Sequence, residues 1–131
     1  MKMEKQDFID YWVKSSKHDL TVSDSLFNSE HFDYCLFLAH LSLEKLLKAF
    51  WVRTNSEDNP PKTHNLVYLA QESNLKVSDE QLRFLQLVNT FNVGIRYPDY
   101  KFKIHQMCTK EFTEERLEKI KEFHRWLMKK L

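Results

Sequence analysis

Between Lys5 and Asn28 the large apolar residues Phe8, Trp12, Leu20, Leu26 and Phe27 recur with helical spacing, and the small Ser15, Ser16 and Ser23 lie between them on much the same side. That pattern predicts an amphipathic helix with a face on which a neighbour packs closely. Asn28-Ser29 supplies a left-handed exit and a cap without glycine. The next segment, His31 to Thr54, is apolar around most of its circumference, and its polar positions Asp33, His40, Glu44 and Lys48 gather on one narrow strip. A helix with so little polar surface belongs at the centre of a fold and is expected to be its most buried element. If the two helices turn back near Ser29, positions summing to about 60 lie side by side, which brings Asp19 to His40 and Leu41, and Ser16 to Glu44.

Asn55 to Pro61 has no periodicity and several breakers, so it reads as a loop. Thr63 is placed to cap a short helix from His64 to Ser73. Ser78-Asp79-Glu80-Gln81 is a capping box that opens a helix through Leu82, Leu85, Val88 and Phe91, with Gly94, the only glycine, as its stop. Ile95 to Phe112 reads as a connection longer than bundle loops usually are. Thr113-Glu114-Glu115 then starts a last helix with acid in its first turn and Lys129-Lys130 in its last, as the helix dipole prefers. The expected architecture is an all-α, antiparallel up-down bundle of four to five helices, forming one domain over residues 1–131.

Composition changes this picture little. The chain of 131 residues has 42% hydrophobic and 30% charged residues, as ordinary globular proteins do. A formal charge of +1 means that any binding to nucleic acid comes from a local patch rather than from the whole molecule. Cys35 and Cys108 show no metal-like spacing and read as reduced, small hydrophobes, which suits a cytoplasmic protein. Met1 to Asp10 does not resemble a signal peptide, and the charges within Phe32 to Val52 exclude a membrane span. One glycine leaves no room for a Gly-rich phosphate loop, and no metal or other cofactor is expected.

Four stretches carry a resemblance: Ser16-Lys17-His18-Asp19-Leu20, Leu41-Ser42-Leu43-Glu44-Lys45-Leu46-Leu47-Lys48-Ala49, Thr63-His64-Asn65-Leu66 and Arg96-Tyr97-Pro98-Asp99. Together, and in this order, they resemble the HEPN family of helical domains associated with nucleotides and RNA. The resemblance implies a helical bundle, a homodimer, and a small nucleotidyltransferase as protein partner. It also implies, for many members, a metal-independent, toxin-like endoribonuclease whose motif is Arg, four to six residues, then His, with two copies facing each other across the dimer. Here His105 follows Arg96 after eight residues and His124 follows Arg116 after seven, so the motif is absent in its usual form.

From Gly94 to Lys110 there are four basic residues against one acidic, a local charge of +3, interleaved with Tyr97, Tyr100 and Phe102. Arg96, Lys101 and Lys103 would neutralise phosphate while Tyr97 and Tyr100 stack on bases, as single-stranded RNA or a nucleotide needs. The same stretch also reads as a structural crossover whose aromatics plug the bundle while its lysines reach water, in which case the protein is a purely structural dimerisation module with no ligand. On the enzymatic reading, Arg96 stabilises phosphate charge, His105 is general base toward a ribose 2′-hydroxyl, and a second protomer supplies the acid. Asp19, Glu44, Lys45 and Lys48 read as a structural polar network, because carboxylates on a greasy helix need such partners. His64, next to a capping threonine, reads as part of the same hydrogen bonding.

Overall fold

The computed structural model describes residues 3–131, with the side chains of 98–101 left out of the description. Its helices are α1 (Lys5–Asn28), α2 (Phe32–Thr54), α3 (Leu66–Glu72), α4 (Asp79–Arg96), α5 (Pro98–Met107) and α6 (Lys110–Lys130), and no strand occurs among the described residues. The all-α bundle is therefore as expected, with one helix more.

Serines on α1 set how closely it meets α2. Ser16 Oγ donates to the Ser42 carbonyl at 2.6 Å and Ser23 Oγ to the Cys35 carbonyl at 2.7 Å. Hydroxyls that satisfy themselves on the neighbouring backbone cost nothing to bury. The predicted pairing needs adjustment by a fraction of a turn. Ser16 faces Ser42 rather than Glu44, and Asp19 pairs with Lys45 Nζ at 2.8 Å rather than with His40 or Leu41. The left-handed residue at the turn is Glu30, with φ of 66°, not Asn28 or Ser29. At the other end of the hairpin, Lys5 Nζ donates to the carbonyls of Val52 and Asn55 at 2.8 and 2.9 Å and pairs with Asp58 at 3.0 Å. An ammonium there complements the C-terminus of α2 and holds the loop that follows.

The core is built on α2, whose Leu36, Leu43, Leu46, Leu47 and Phe50 meet Leu66 and Leu69 of α3, Leu85, Val88 and Phe91 of α4, and Leu117, Ile120 and Leu127 of α6. Its polar strip faces inward: Asp33, His40, Glu44 and Lys48 are all buried. Its solvent side carries Tyr34, exposed, with Phe37, Leu38, Leu41 and Lys45 half-buried.

The second half departs from the sequence reading. Asn65, not Thr63, caps α3, its side chain accepting from the backbone of Val67 and Tyr68, so His64 lies just before the helix. The Ser78 capping box forms as expected. Gly94 does not stop α4, which continues to Arg96 with Gly94 buried inside it. The glycine is needed because α5 crosses there: a Cβ on Gly94 would overlap Ile104 Cγ1 and sit 2.7 Å from Ile104 Cβ. The supposed long connection is mostly α5, for which Pro98 is a first-turn residue whose missing N–H costs nothing. The last helix begins at Lys110, three residues before Thr113, because the Thr109 hydroxyl accepts from the Phe112 N–H at 3.2 Å. None of the described helices is long and apolar enough to cross a membrane.

Candidate functional site

Positions 33, 37, 40, 44 and 48 recur along one side of α2, and most of them anchor a residue that follows the loop after α2. At one end, Asp33 Oδ2 lies 3.3 Å from Nδ1 of His105, whose side chain is 68% exposed. One turn on, the Arg96 guanidinium sits 5.8 Å from the Phe37 ring centre, a cation-π distance, while Arg96 Nε donates to Asn92 Oδ1 at 2.8 Å. Its terminal nitrogens have no hydrogen bond among the described residues. His40 Nε2 donates to the His64 carbonyl at 3.0 Å. At the far end, His64 Nδ1 donates to Glu44 Oε1 at 2.7 Å and Lys48 Nζ to Glu44 Oε2 at 3.1 Å, with the ammonium 5.3 Å from the Trp12 ring centre.

Three exposed groups, His64, Arg96 and His105, thus stand in a row, each held by a buried neighbour: Glu44, Asn92 and Asp33. Arg96 and His105 reach α2 at adjacent turns, about 6 Å apart along its axis, because α5 folds the eight intervening residues back. His64 and His105 are anchored eleven residues apart on α2, about 16 Å, too far to share one phosphodiester as acid and base.

The remaining predicted residues are dispersed around this row. Tyr97 caps α4 and is exposed, as are Lys103 and Phe102. The side chains of Tyr100 and Lys101 lie outside the described residues. The expected network divides in two: Asp19 pairs with Lys45, and Glu44 with Lys48 and His64. Asn92 and Phe37 went unnoticed in the sequence; the four-residue step from Asn92 to Arg96 was the available signal.

His40 and His124 are buried and neutral. Burial above all lowers the His40 pKa to about 4, opposed by Glu44 and by its bond to the His64 carbonyl. Burial also lowers that of His124 to about 4, aided by Lys17 and Arg125. His124 Nε2 lies 2.9 Å from Ser16 Oγ, and because the serine proton goes to the Ser42 carbonyl, the imidazole donates. That leaves Ser16 without an activating base. Burial, Asp33 and Cys35 push the Cys108 thiol up to about 11, and burial raises Cys35, so both are poor nucleophiles. No cluster of three metal-ligating side chains occurs among the described residues. A groove of about 560 Å³ between α4 and α6, lined by Phe84, Leu87, Phe123 and Trp126, contains none of the predicted site residues.

The HEPN domain pattern matches residues 9–131. The chain belongs to the HEPN domain family. No curated protein matches it. In fold, this HEPN domain is similar to the crystal structure of TT1696 from Thermus thermophilus, with a TM-score of 0.79 over 94% of this chain and 98% of that one. At 16% identity that likeness concerns architecture alone. Most of the eight residues between Arg96 and His105 lie in α5, which also carries His105.

Proposed function

We propose that this HEPN domain binds single-stranded RNA along the open edge of α2 and acts as a homodimer. The observation that carries this reading is the tethered Arg96: its Nε is engaged by Asn92 and its plane is steadied by Phe37, leaving the two terminal nitrogens to grip a phosphate bidentately. Exposed Lys103 and Tyr97 nearby add a second cation and a stacking surface. The second copy takes the outer strip of α2. Leu38 and Leu41 are half-buried and belong to neither buried cluster, and a two-fold axis across this helix would bury them against their copies. A nucleotidyltransferase remains the protein partner that family membership suggests.

Expected results are a sedimentation mass of twice the chain, reduced to one by Leu38→Glu, and salt-dependent binding of oligouridylate. Arg96→Ala should weaken that binding and flatten the plot of log affinity against log salt by about one counterion. A monomer at tens of micromolar would sink the dimer, and an unchanged salt slope would sink the phosphate contact.

A second reading, a metal-independent endoribonuclease, is favoured by Arg96 and His105 being anchored on adjacent turns of α2. On it, His105 oriented by Asp33 is the base and the partner copy supplies the acid. His105→Ala should then abolish cleavage while leaving RNA bound; absence of cleavage by the unmodified dimer rules this reading out.

A further inference from the structure

We infer that His64 accepts a hydrogen bond from a ribose 2′-hydroxyl, so that the row along α2 selects RNA over DNA of the same sequence; this rests on the RNA-binding reading above. The inference begins at Glu44. Its carboxylate is buried, with Lys48 on one oxygen at 3.1 Å and His64 on the other at 2.7 Å. Lys48 balances the charge, so a neutral imidazole suffices at the second oxygen, and it must carry its proton on Nδ1 to donate there. The lone pair is then on Nε2, and the side chain is 45% exposed. The backbone around the ring is fixed as well. The His64 carbonyl accepts from His40, and the Leu66 N–H donates to Asn89 Oδ1 at 3.0 Å. A group held at ring and backbone loses little freedom on binding.

A lone pair placed in a row of phosphate contacts repels phosphate oxygen and requires a donor. Base N–H groups change with sequence, whereas the 2′-hydroxyl is a donor on every nucleotide of RNA and on none of DNA. The anchors of His64 and Arg96, Glu44 and Phe37, are seven residues apart on α2, about 10 Å, so the sugar at one and the phosphate at the other belong to different nucleotides of one strand.

The test compares oligouridylate with oligodeoxyuridylate of equal length, at one low salt concentration, on the full chain. The unmodified protein should prefer RNA about tenfold, the usual effect of one such hydrogen bond. His64→Ala should remove the preference by weakening RNA alone, while Arg96→Ala weakens both. A second measurement needs no substitution: in protein labelled with ¹⁵N-histidine, Nε2 of His64 should be unprotonated when free and shift on adding oligouridylate but not oligodeoxyuridylate. Equal binding of both oligomers, an equal loss with His64→Ala, or a proton on Nε2 overturns the inference and leaves RNA binding standing. If neither oligomer binds the unmodified protein, the RNA reading falls and this inference with it.

Discussion

Lowering the pH from 7 to 5 should cost the fold about 2 kcal/mol for each of His40 and His124, some 4 kcal/mol together, which is a large part of the stability of a domain this size. Both imidazoles have folded pKa values of about 4, below the 6.5 of an unfolded chain, because burial penalises their charged form. The unfolded state therefore binds more protons than the folded one between these limits. Stability is held in full above about pH 6.5, falls as the pH descends toward 4, and gains no further loss from these two groups below that. Urea denaturation at pH 7.5, 6.5, 5.5 and 5 would follow the decline. The double variant His40→Gln, His124→Gln, though less stable at neutral pH, should show a much flatter profile. A midpoint that holds steady from pH 7 to 5 would mean that the imidazoles are hydrated or charge-paired in solution.

Gly94→Val is expected to destabilise the protein by about 3 kcal/mol or to detach α5. The added Cβ has no space beside Ile104, and overpacking of this kind costs about 1–3 kcal/mol before the branched methyls are counted. Gly94→Ala is the finer test, since replacing glycine inside a helix gains up to about 1 kcal/mol when there is room. A net loss with alanine, relieved by adding Ile104→Ala, identifies the contact through non-additivity of the pair. Because α5 carries His105, the alanine variant should also loosen the His105 ring from Asp33, visible as a histidine resonance that moves toward its free position. Stabilisation by alanine would place α5 elsewhere.

These two sites also mark how far sequence reasoning reached. The first hairpin was legible because its information is local: apolar spacing, small serines and a charged loop sufficed for α1 and α2. Gly94 was misread because a glycine at the end of an apolar pattern has two causes, a left-handed stop or a close approach, and only the partner across the gap, Ile104, decides between them. Pro98 compounded the error, since a proline after a helix signals a break as readily as a new first turn. Likewise, the polar network of Glu44, Lys48 and His64 is legible from residue type, but the inward position of Asp33 is not. Hydropathy assigns polar groups to water, and the partner that meets Asp33 comes from 72 positions along the chain. Arg96 and His105 are found by residue type; of the tethers that give them direction, Asn92 lies four residues away on the same helix and is open to sequence reading, while Asp33 depends on tertiary contact.

The buried strip on α2 also imposes an order on how the chain assembles. The hydrogen bonds that close the α1–α2 hairpin span 12 and 26 positions, and those at Glu44 and His40 span a comparable 20 and 24, whereas the one that meets Asp33 spans 72. Local contacts can close while the strip is still hydrated, so nothing penalises a hairpin that waits in water with its carboxylates exposed. Glu44 already has Lys48 one turn along α2, but drying the strip before His105 arrives would strand the Asp33 carboxylate, so the hairpin acts as a template on which α5 is checked as it docks.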